Sequence, residues 1–229
     1  IGHITYFFKQ EELMIMTLYP LLMAPYFRSG KETPWGGDML RDAFMKDAPE
    51  QTGESLEVSA LEGRESIVRN GAHAGQSFRR MFEQWGSALT GTDDAVFPLM
   101  LKLLDARTFL SVQVHPDDDY ALKNEGQYGK TEMWYIMECD EGSFVYYGFS
   151  REVSEEEFEE RIRNNTLPEV LNRVMIHKGD VLFIDPGTIH AIGAGSLIAE
   201  IQQNSNVTYR VYDYGRKGPD GKERELHVE

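Results

Sequence analysis

The feature that most constrains this chain is a succession of short apolar or alternating segments that begins near Val96. Turn residues, such as the pair Glu141-Gly142, separate these segments. Short strands joined by Gly, Asp and Pro turns are typical of antiparallel sheets that close into a barrel or pack as a sandwich. We therefore predict a mainly β fold, with strands at residues 96–104, 108–115, 132–137, 143–149, 180–184, 196–203 and 207–212 and an earlier strand at 54–60.

Helical patterns interrupt the strands in two places. Residues 76–89 carry an apolar stripe at i, i+3, i+4 and i+7 that starts at Phe78. Ser154 and Glu157 form a capping box that predicts an acidic helix over 154–165, and we expect a second short helix at 168–174. The predicted organisation is one domain over 17–229 with helical insertions near 76–89 and 154–174. Residues 1–16 are interpreted as an extension or as residues added for expression.

The composition excludes several classes of partner. The 229 residues include 23 Lys and Arg against 38 Asp and Glu, a formal net charge of −15. Nucleic acids and anionic membranes need clustered basic residues, so we expect neither as a partner. A small anionic substrate is compatible with this charge, because a few basic side chains can reverse the potential inside one pocket.

The chain has one cysteine, Cys139, which excludes an internal disulfide and a cysteine-rich zinc site. A single free thiol favours a reducing compartment, and we expect a cytoplasmic protein. The apolar run from Leu13 to Phe27 is interrupted by Pro20 and Pro25 and is too short to span a bilayer.

Polar residues interrupt the predicted strands at four positions. Gln113 and His115 are two residues apart and therefore point to the same face of their strand, Glu132 opens the next strand, and His190 ends the segment 179–190. Four such nitrogen and oxygen donors suit a borderline divalent cation such as zinc. Taken separately, Gln113 or His115 would more often be a packed or surface residue.

The spacing of Gly179, Gly187 and His190 resembles the second half of the cupin signature. The segments 109–118 and 129–135 resemble the zinc-ligand segments of type I phosphomannose isomerases, and 179–190, 200–214, 35–37 and 53–55 are also similar to that family. The resemblance covers roughly residues 17–229. It implies a cupin-type β-barrel, or jelly roll, with a few inserted helices.

Some positions depart from these patterns. Asp185 stands where the cupin signature has proline, and Gln113 stands where it has histidine, although glutamine is normal in these isomerases. Family members usually continue into a second β lobe, and we expect this chain to lack it.

The resemblance implies a zinc-dependent aldose-ketose isomerase that interconverts mannose 6-phosphate and fructose 6-phosphate through a cis-enediol. It implies one Zn²⁺ per chain, bound by Gln113, His115, Glu132 and His190. The expected ligand is a small sugar phosphate, with no nucleic acid or membrane as a partner. A homodimer is compatible with the sequence.

The remaining candidates are basic and acidic residues near the predicted metal. We expect Glu200 and Arg210 to face the barrel interior from two strands of a hairpin and to act in catalysis; the alternative is a buried ion pair that only stabilises that hairpin. Lys130, two residues before Glu132, is the third catalytic candidate. By resemblance, Lys102 and Ser111 are the phosphate ligands, and a lysine within an apolar strand needs a cleft or an anion for its ammonium group.

Two other functions fit part of these observations. A cupin oxygenase is disfavoured by Gln113, because redox iron sites prefer histidine with carboxylate. A non-catalytic sugar-binding or regulatory cupin would not need Lys130, Glu200 and Arg210. The absent C-terminal lobe is the main argument for this second alternative.

Overall fold

The computed structural model describes residues 18–218 and 221–228, which form two main antiparallel sheets with short helices at their margins. The strands are β1 (Met23–Ala24), β2 (Tyr26–Ser29), β3 (Thr52–Val58), β4 (Ile67–Val68), β5 (Leu99–Ala106), β6 (Val112–Val114), β7 (Glu132–Cys139), β8 (Phe144–Phe149), β9 (Leu171–Met175), β10 (Val181–Ile184), β11 (His190–Ile192), β12 (Ser196–Gln203) and β13 (Tyr209–Tyr212). The helices are α1 (Met39–Asp42), α2 (Phe78–Trp85), α3 (Ser87–Thr90), α4 (Asp118–Asn124) and α5 (Glu155–Arg163). The predicted extension at 1–16 lies outside the described residues.

The larger sheet has six strands in the order β10-β7-β12-β5-β3-β2, and the smaller has five in the order β13-β6-β11-β8-β9. Strands β1 and β4 form a separate two-stranded ribbon, with β1 beside β3 of the larger sheet. Every strand pair in the described part of the chain is antiparallel. The prediction of a mainly β fold is therefore confirmed.

The hydrophobic core fills the space between the two sheets. Trp134 and Ile198 of the larger sheet and Val145 of the smaller sheet are fully buried in one cluster. Successive side chains of a strand point to opposite faces, so Glu132, Trp134 and Ile136 of β7 and Ile198, Glu200 and Gln202 of β12 face this interior. Glu132 and Glu200 occupy the same faces as Trp134 and Ile198, which brings two carboxylates into the barrel.

The helices follow the predictions in part. Ser77 caps α2 by accepting a hydrogen bond from the Arg80 backbone N–H, and the predicted helix at 76–89 is divided at Gly86 into α2 and α3. Ser154 caps α5 by accepting from the Glu157 N–H, but the Glu157 carboxylate accepts from Arg151 and Arg161 instead of completing the predicted capping box. No helix in the described part of the chain combines the length and the apolar character that a bilayer crossing requires.

The helix predicted at 168–174 is wrong. Leu167–Glu169 forms a single 3-10 turn, and Leu171–Met175 is strand β9, which pairs with β8. The apolar residues of this segment recur at helical spacing, but pairing with the edge of the smaller sheet decides its conformation. Tertiary context overrides a local pattern readily in a segment this short.

Candidate metal centre and the adjoining cavity

The metal-ligand candidates come from both sheets and meet in the barrel interior. His190 opens β11 and lies directly opposite Gln113 of β6 in the smaller sheet. His115 follows the end of β6, and Glu132 opens β7 in the larger sheet. Ligand atoms of His115, Glu132 and His190 all lie within 4.8 Å of one another. All three residues are buried, as an interior metal site requires.

Two glycines of the cupin-like segment make the turns on either side of β10. Gly179 has a φ of 94° and Gly187 a φ of 81°, a region that residues with a Cβ rarely adopt. The Gly187 N–H donates to the His115 carbonyl oxygen at 2.8 Å. The turn at Gly187 is thus fastened beside His115 and returns the chain into β11 with His190 at its start.

Hydrogen bonds fix which nitrogen of each imidazole faces the site. Nδ1 of His115 lies 3.1 Å from the Val207 carbonyl oxygen, and Nδ1 of His190 lies 2.8 Å from that of Thr188. Because a carbonyl only accepts, each Nδ1 carries the proton and each Nε2 presents a lone pair. The two Nε2 atoms lie 3.5 Å and 3.3 Å from the carboxylate oxygens of Glu132.

Burial keeps both imidazoles neutral. It lowers the pKa of His190 to about 4, and burial together with the charge of Lys130 holds the pKa of His115 well below its usual range. Burial, and then the negative charge of Glu200, raises the pKa of Glu132 to about 7. His190 Nε2 and Glu132 Oε1 are buried without a hydrogen-bond partner among the described residues.

This donor set fits a divalent cation. Lys130 approaches His115 Nε2 and Glu132 Oε2, but His190 Nε2 and Glu132 Oε1 face each other at 3.3 Å with no donor among the described residues, an unfavourable arrangement that a cation would relieve. Histidines that bind metals commonly donate their other ring N–H to a carbonyl or carboxylate, as both histidines do here. The residues present therefore suit a metal ion bound by nitrogen and oxygen.

A cavity of about 300 Å³ adjoins the triad, with Lys130 between them. Lys130 Nζ lies 3.1 Å from His115 Nε2 and 3.0 Å from Glu132 Oε2. Burial alone would lower the pKa of Lys130, but attraction to Glu132 and Glu200 outweighs it and raises the pKa. Six of the residues predicted from the sequence line this cavity: Lys102, Ser111, Gln113, Lys130, Glu200 and Arg210.

Glu200 is held within the cavity wall by two donors. Lys102 Nζ lies 3.2 Å from Oε1, and the Trp134 indole N–H donates to Oε2 at 3.1 Å. Burial would raise the pKa of Glu200, but the charges of Lys102 and Lys130 lower it below its ordinary value. Glu200 is therefore a carboxylate at neutral pH.

The predicted hairpin of Glu200 and Arg210 is wrong. Strand β12 is paired on both edges, with β5 and with β7, so β13 has no free edge of β12 to join. It pairs instead with β6 in the other sheet, where Arg210 lies opposite Gln113. Glu200 and Arg210 nevertheless line the same cavity, from its two opposing sheets.

Several cavity residues were not predicted from the sequence. Arg28 lies opposite Glu54 in neighbouring strands and makes two hydrogen bonds with its carboxylate, each of 3.0 Å. With the pair Lys102 and Glu200, they form a charge row across β2, β3, β5 and β12. Glu54 lies in the segment 53–55 that resembles the family but was not singled out, and no pattern marked Arg28 or Arg224.

The cavity has the opposite charge balance to the whole chain. Six basic and three acidic side chains line it, namely Arg28, Arg64, Lys102, Lys130, Arg210 and Arg224 against Glu32, Glu54 and Glu200. The net charge of −15 therefore belongs mainly to the outer surface. An anionic ligand is electrostatically favoured in this cavity.

Comparison with known proteins identifies the family. Residues 27–145 match the model of the phosphomannose isomerase type I catalytic domain. GmuF of Bacillus subtilis (strain 168), a probable mannose-6-phosphate isomerase, is 45% identical over 213 residues, which are 92% of this chain and 66% of that protein. The mannose-6-phosphate isomerase of Streptococcus mutans is 42% identical over 196 residues, which are 85% of this chain and 62% of that protein.

The fold comparison agrees with the sequence comparison. The crystal structure of the mannose 6-phosphate isomerase from Bacillus subtilis matches with a TM-score of 0.84 and 40% identity, covering 91% of this chain and 66% of that one. This match confirms the predicted cupin-type barrel. The chain spans about two thirds of the length of these relatives. It belongs to the type I phosphomannose isomerase family.

Proposed function

We propose that this protein is a metal-dependent isomerase that interconverts mannose 6-phosphate and fructose 6-phosphate through a cis-enediol. One observation carries the proposal: a buried triad of acceptor groups adjoins a cavity with an excess of basic side chains. The triad suits a divalent cation and the cavity suits a phosphorylated ligand. The relatives at 42–45% identity bear the names of mannose-6-phosphate isomerases, which supports the choice of sugar phosphate.

The proposed cofactor is one Zn²⁺ per chain, bound by Gln113, His115, Glu132 and His190. Two neutral imidazoles, a carboxylate and a carboxamide form a nitrogen and oxygen set that suits zinc. Gln113 belongs to this set because it lies opposite His190 in the sheet and lines the cavity. When bound, the cation would polarise the sugar oxygens at C1 and C2.

The charged side chains of the cavity divide the remaining tasks. By the family resemblance, Lys102 and Ser111 are candidates for binding the substrate phosphate, and both line the cavity. Glu200, as a carboxylate, takes the proton from C2 of the aldose and returns it to C1, while the hydroxyl proton is transferred from O2 to O1; together these transfers move the carbonyl group from C1 to C2. Arg210 and Lys130 stabilise the negative charge that develops on O1 and O2. Lys130 is buried, which strengthens its interaction with such a charge, whereas Arg210 is about half-buried.

The test combines metal analysis with an isomerase assay. The purified protein is expected to contain about one zinc per chain and to convert mannose 6-phosphate to fructose 6-phosphate. Turnover that survives exhaustive chelation would refute the metal-dependent mechanism. A metal-replete protein that binds the sugar phosphate without turnover would instead be a sugar-binding cupin, and oxygen consumption with a cupin substrate would indicate an oxygenase.

A further inference from the structure

Two arginines, of which only Arg224 lines the cavity, share a single buried carboxylate. Arg224 donates to both oxygens of Asp213, from Nε at 2.7 Å and from Nη2 at 2.6 Å. Arg216 donates to Oδ1 of the same carboxylate, from Nε at 3.1 Å. Asp213 therefore neutralises only half of the charge that these two guanidinium groups carry.

Arg210 adds a third guanidinium group near these two. Burial, and then the nearby charge of Arg224, lowers the pKa of Arg210. Its Nη1 donates to the Glu225 carbonyl oxygen at 3.0 Å, whereas its Nε is buried without a hydrogen-bond partner in the described part of the chain. Asp213 and the nearby Glu225 together offset only part of the positive charge of the three arginines.

Two other basic residues of the cavity are already paired. Lys102 is 3.2 Å from Glu200, and Arg28 makes two hydrogen bonds with Glu54. A dianion would meet its least compensated positive charge beside Arg210 and Arg224. Arg224 uses Nε and Nη2 for Asp213, so Nη1 is not engaged by that carboxylate.

The segment 221–228, which we call the C-terminal arm, holds Arg224 in this place. The His227 N–H donates to the Arg210 carbonyl oxygen at 2.7 Å, and the Arg210 N–H donates to His227 Nδ1 at 3.0 Å. The imidazole also contacts the ring of Tyr209, with 6.0 Å between centroids. The arm is therefore fastened along β13, and Arg224 reaches the cavity from a fixed backbone.

We propose that the substrate phosphate binds Arg224 rather than Lys102, which is already paired with Glu200, and that Arg224 forms this anion subsite on the side of the cavity where Arg210 and the C-terminal arm lie. Planar guanidinium groups bind phosphate oxygens through pairs of parallel hydrogen bonds. The inference rests on the proposed function in one respect: the phosphate group that binds here is taken to be that of the sugar phosphate substrate. Binding of inorganic phosphate tests the subsite independently of turnover.

The experiment measures the affinity for inorganic phosphate by calorimetry and the KM for mannose 6-phosphate. The variant Arg224→Gln removes the charge, and Arg216→Gln is the matched control, because Arg216 shares Asp213 but does not line the cavity. We expect Arg224→Gln to weaken phosphate binding and raise KM about 10- to 100-fold, with a smaller change in kcat. The control should stay within about twofold of the wild type in both quantities.

A second variant covers the case in which Arg224→Gln does not fold. Arg224→Lys keeps a charge beside Asp213 but loses the planar fork, and we expect phosphate binding to weaken about 3- to 10-fold. The inference would be overturned if phosphate affinity were unchanged in Arg224→Lys or Arg224→Gln, or if Arg216→Gln lost as much phosphate affinity as they do. Turnover by the wild type would still leave the proposed function intact. If the wild type shows no isomerase activity but Arg224→Gln weakens phosphate binding, the anion subsite is supported and the proposed function is refuted.

Discussion

The buried ion pair between Lys102 and Glu200 gives a prediction whose size follows from the structure. The side chains are 11% and 4% exposed, and the residues lie directly opposite each other in β5 and β12. Replacing Lys102 with Met removes one partner and leaves a buried carboxylate, which costs roughly 3–5 kcal/mol at such sites. Lys130 also attracts Glu200, so we expect a loss near the lower limit, about 3 kcal/mol.

Urea unfolding of the metal-free protein at about pH 7 and about pH 5 measures this loss. Without Lys102, burial raises the pKa of Glu200, so the group becomes neutral as the pH falls and the deficit of the variant narrows. The double variant Lys102→Met/Glu200→Gln should recover most of the stability, since neither position then carries a buried charge and Lys130 keeps its attraction to Glu132. A single variant within about 0.5 kcal/mol of the wild type at neutral pH would show that the pair behaves like a surface ion pair and would refute the reasoning.

The other predictions concern the metal, the catalytic residues and a helix cap. Glu132→Gln should bind zinc at least about tenfold more weakly, as measured by metal content after dialysis, and full retention would exclude Glu132 as a ligand. Arg210→Ala should keep its metal but lose about 10²–10³-fold in kcat/KM, and normal turnover would contradict the assigned role. Ser154→Ala removes the cap of α5, where Ser154 accepts from the Glu157 N–H, and should lower the unfolding free energy by about 1 kcal/mol. Chelation should abolish turnover, and added zinc should restore it.

The strands that lie inside the larger sheet were predicted well from the sequence. The prediction for 196–203 matches β12, and the alternation of its residues correctly placed Glu200 and Gln202 on one face. The residues of a strand that has neighbours on both edges alternate regularly between the two faces of the sheet, and this alternation is visible in the sequence. Strand β9, at the edge of the smaller sheet, has one neighbour and was predicted as a helix. Its apolar residues indicate burial, but their spacing does not reveal the partner.

The candidate site was predicted as a set of residues rather than as an arrangement. The spacing of polar residues in strands indicated that Gln113, His115, Glu132 and His190 face one interior, and ligand atoms of the last three converge there. The sequence did not indicate that β13 would join the opposite sheet, because pairing partners depend on which strand edges are already occupied. Arg224 was not predicted, since a single arginine on an irregular segment carries no periodic signal.

The charge row across β2, β3, β5 and β12 also bears on how the larger sheet reaches its native pairing. A shift of one residue between adjacent strands turns every side chain to the other face. Such a shift in β12 would separate Glu200 from Lys102 and place apolar residues such as Ile201 toward the polar cavity. Misaligned sheets are thus disfavoured by the loss of buried ion pairs as well as by the loss of apolar burial. The charges that line the cavity also select the native strand alignment during folding.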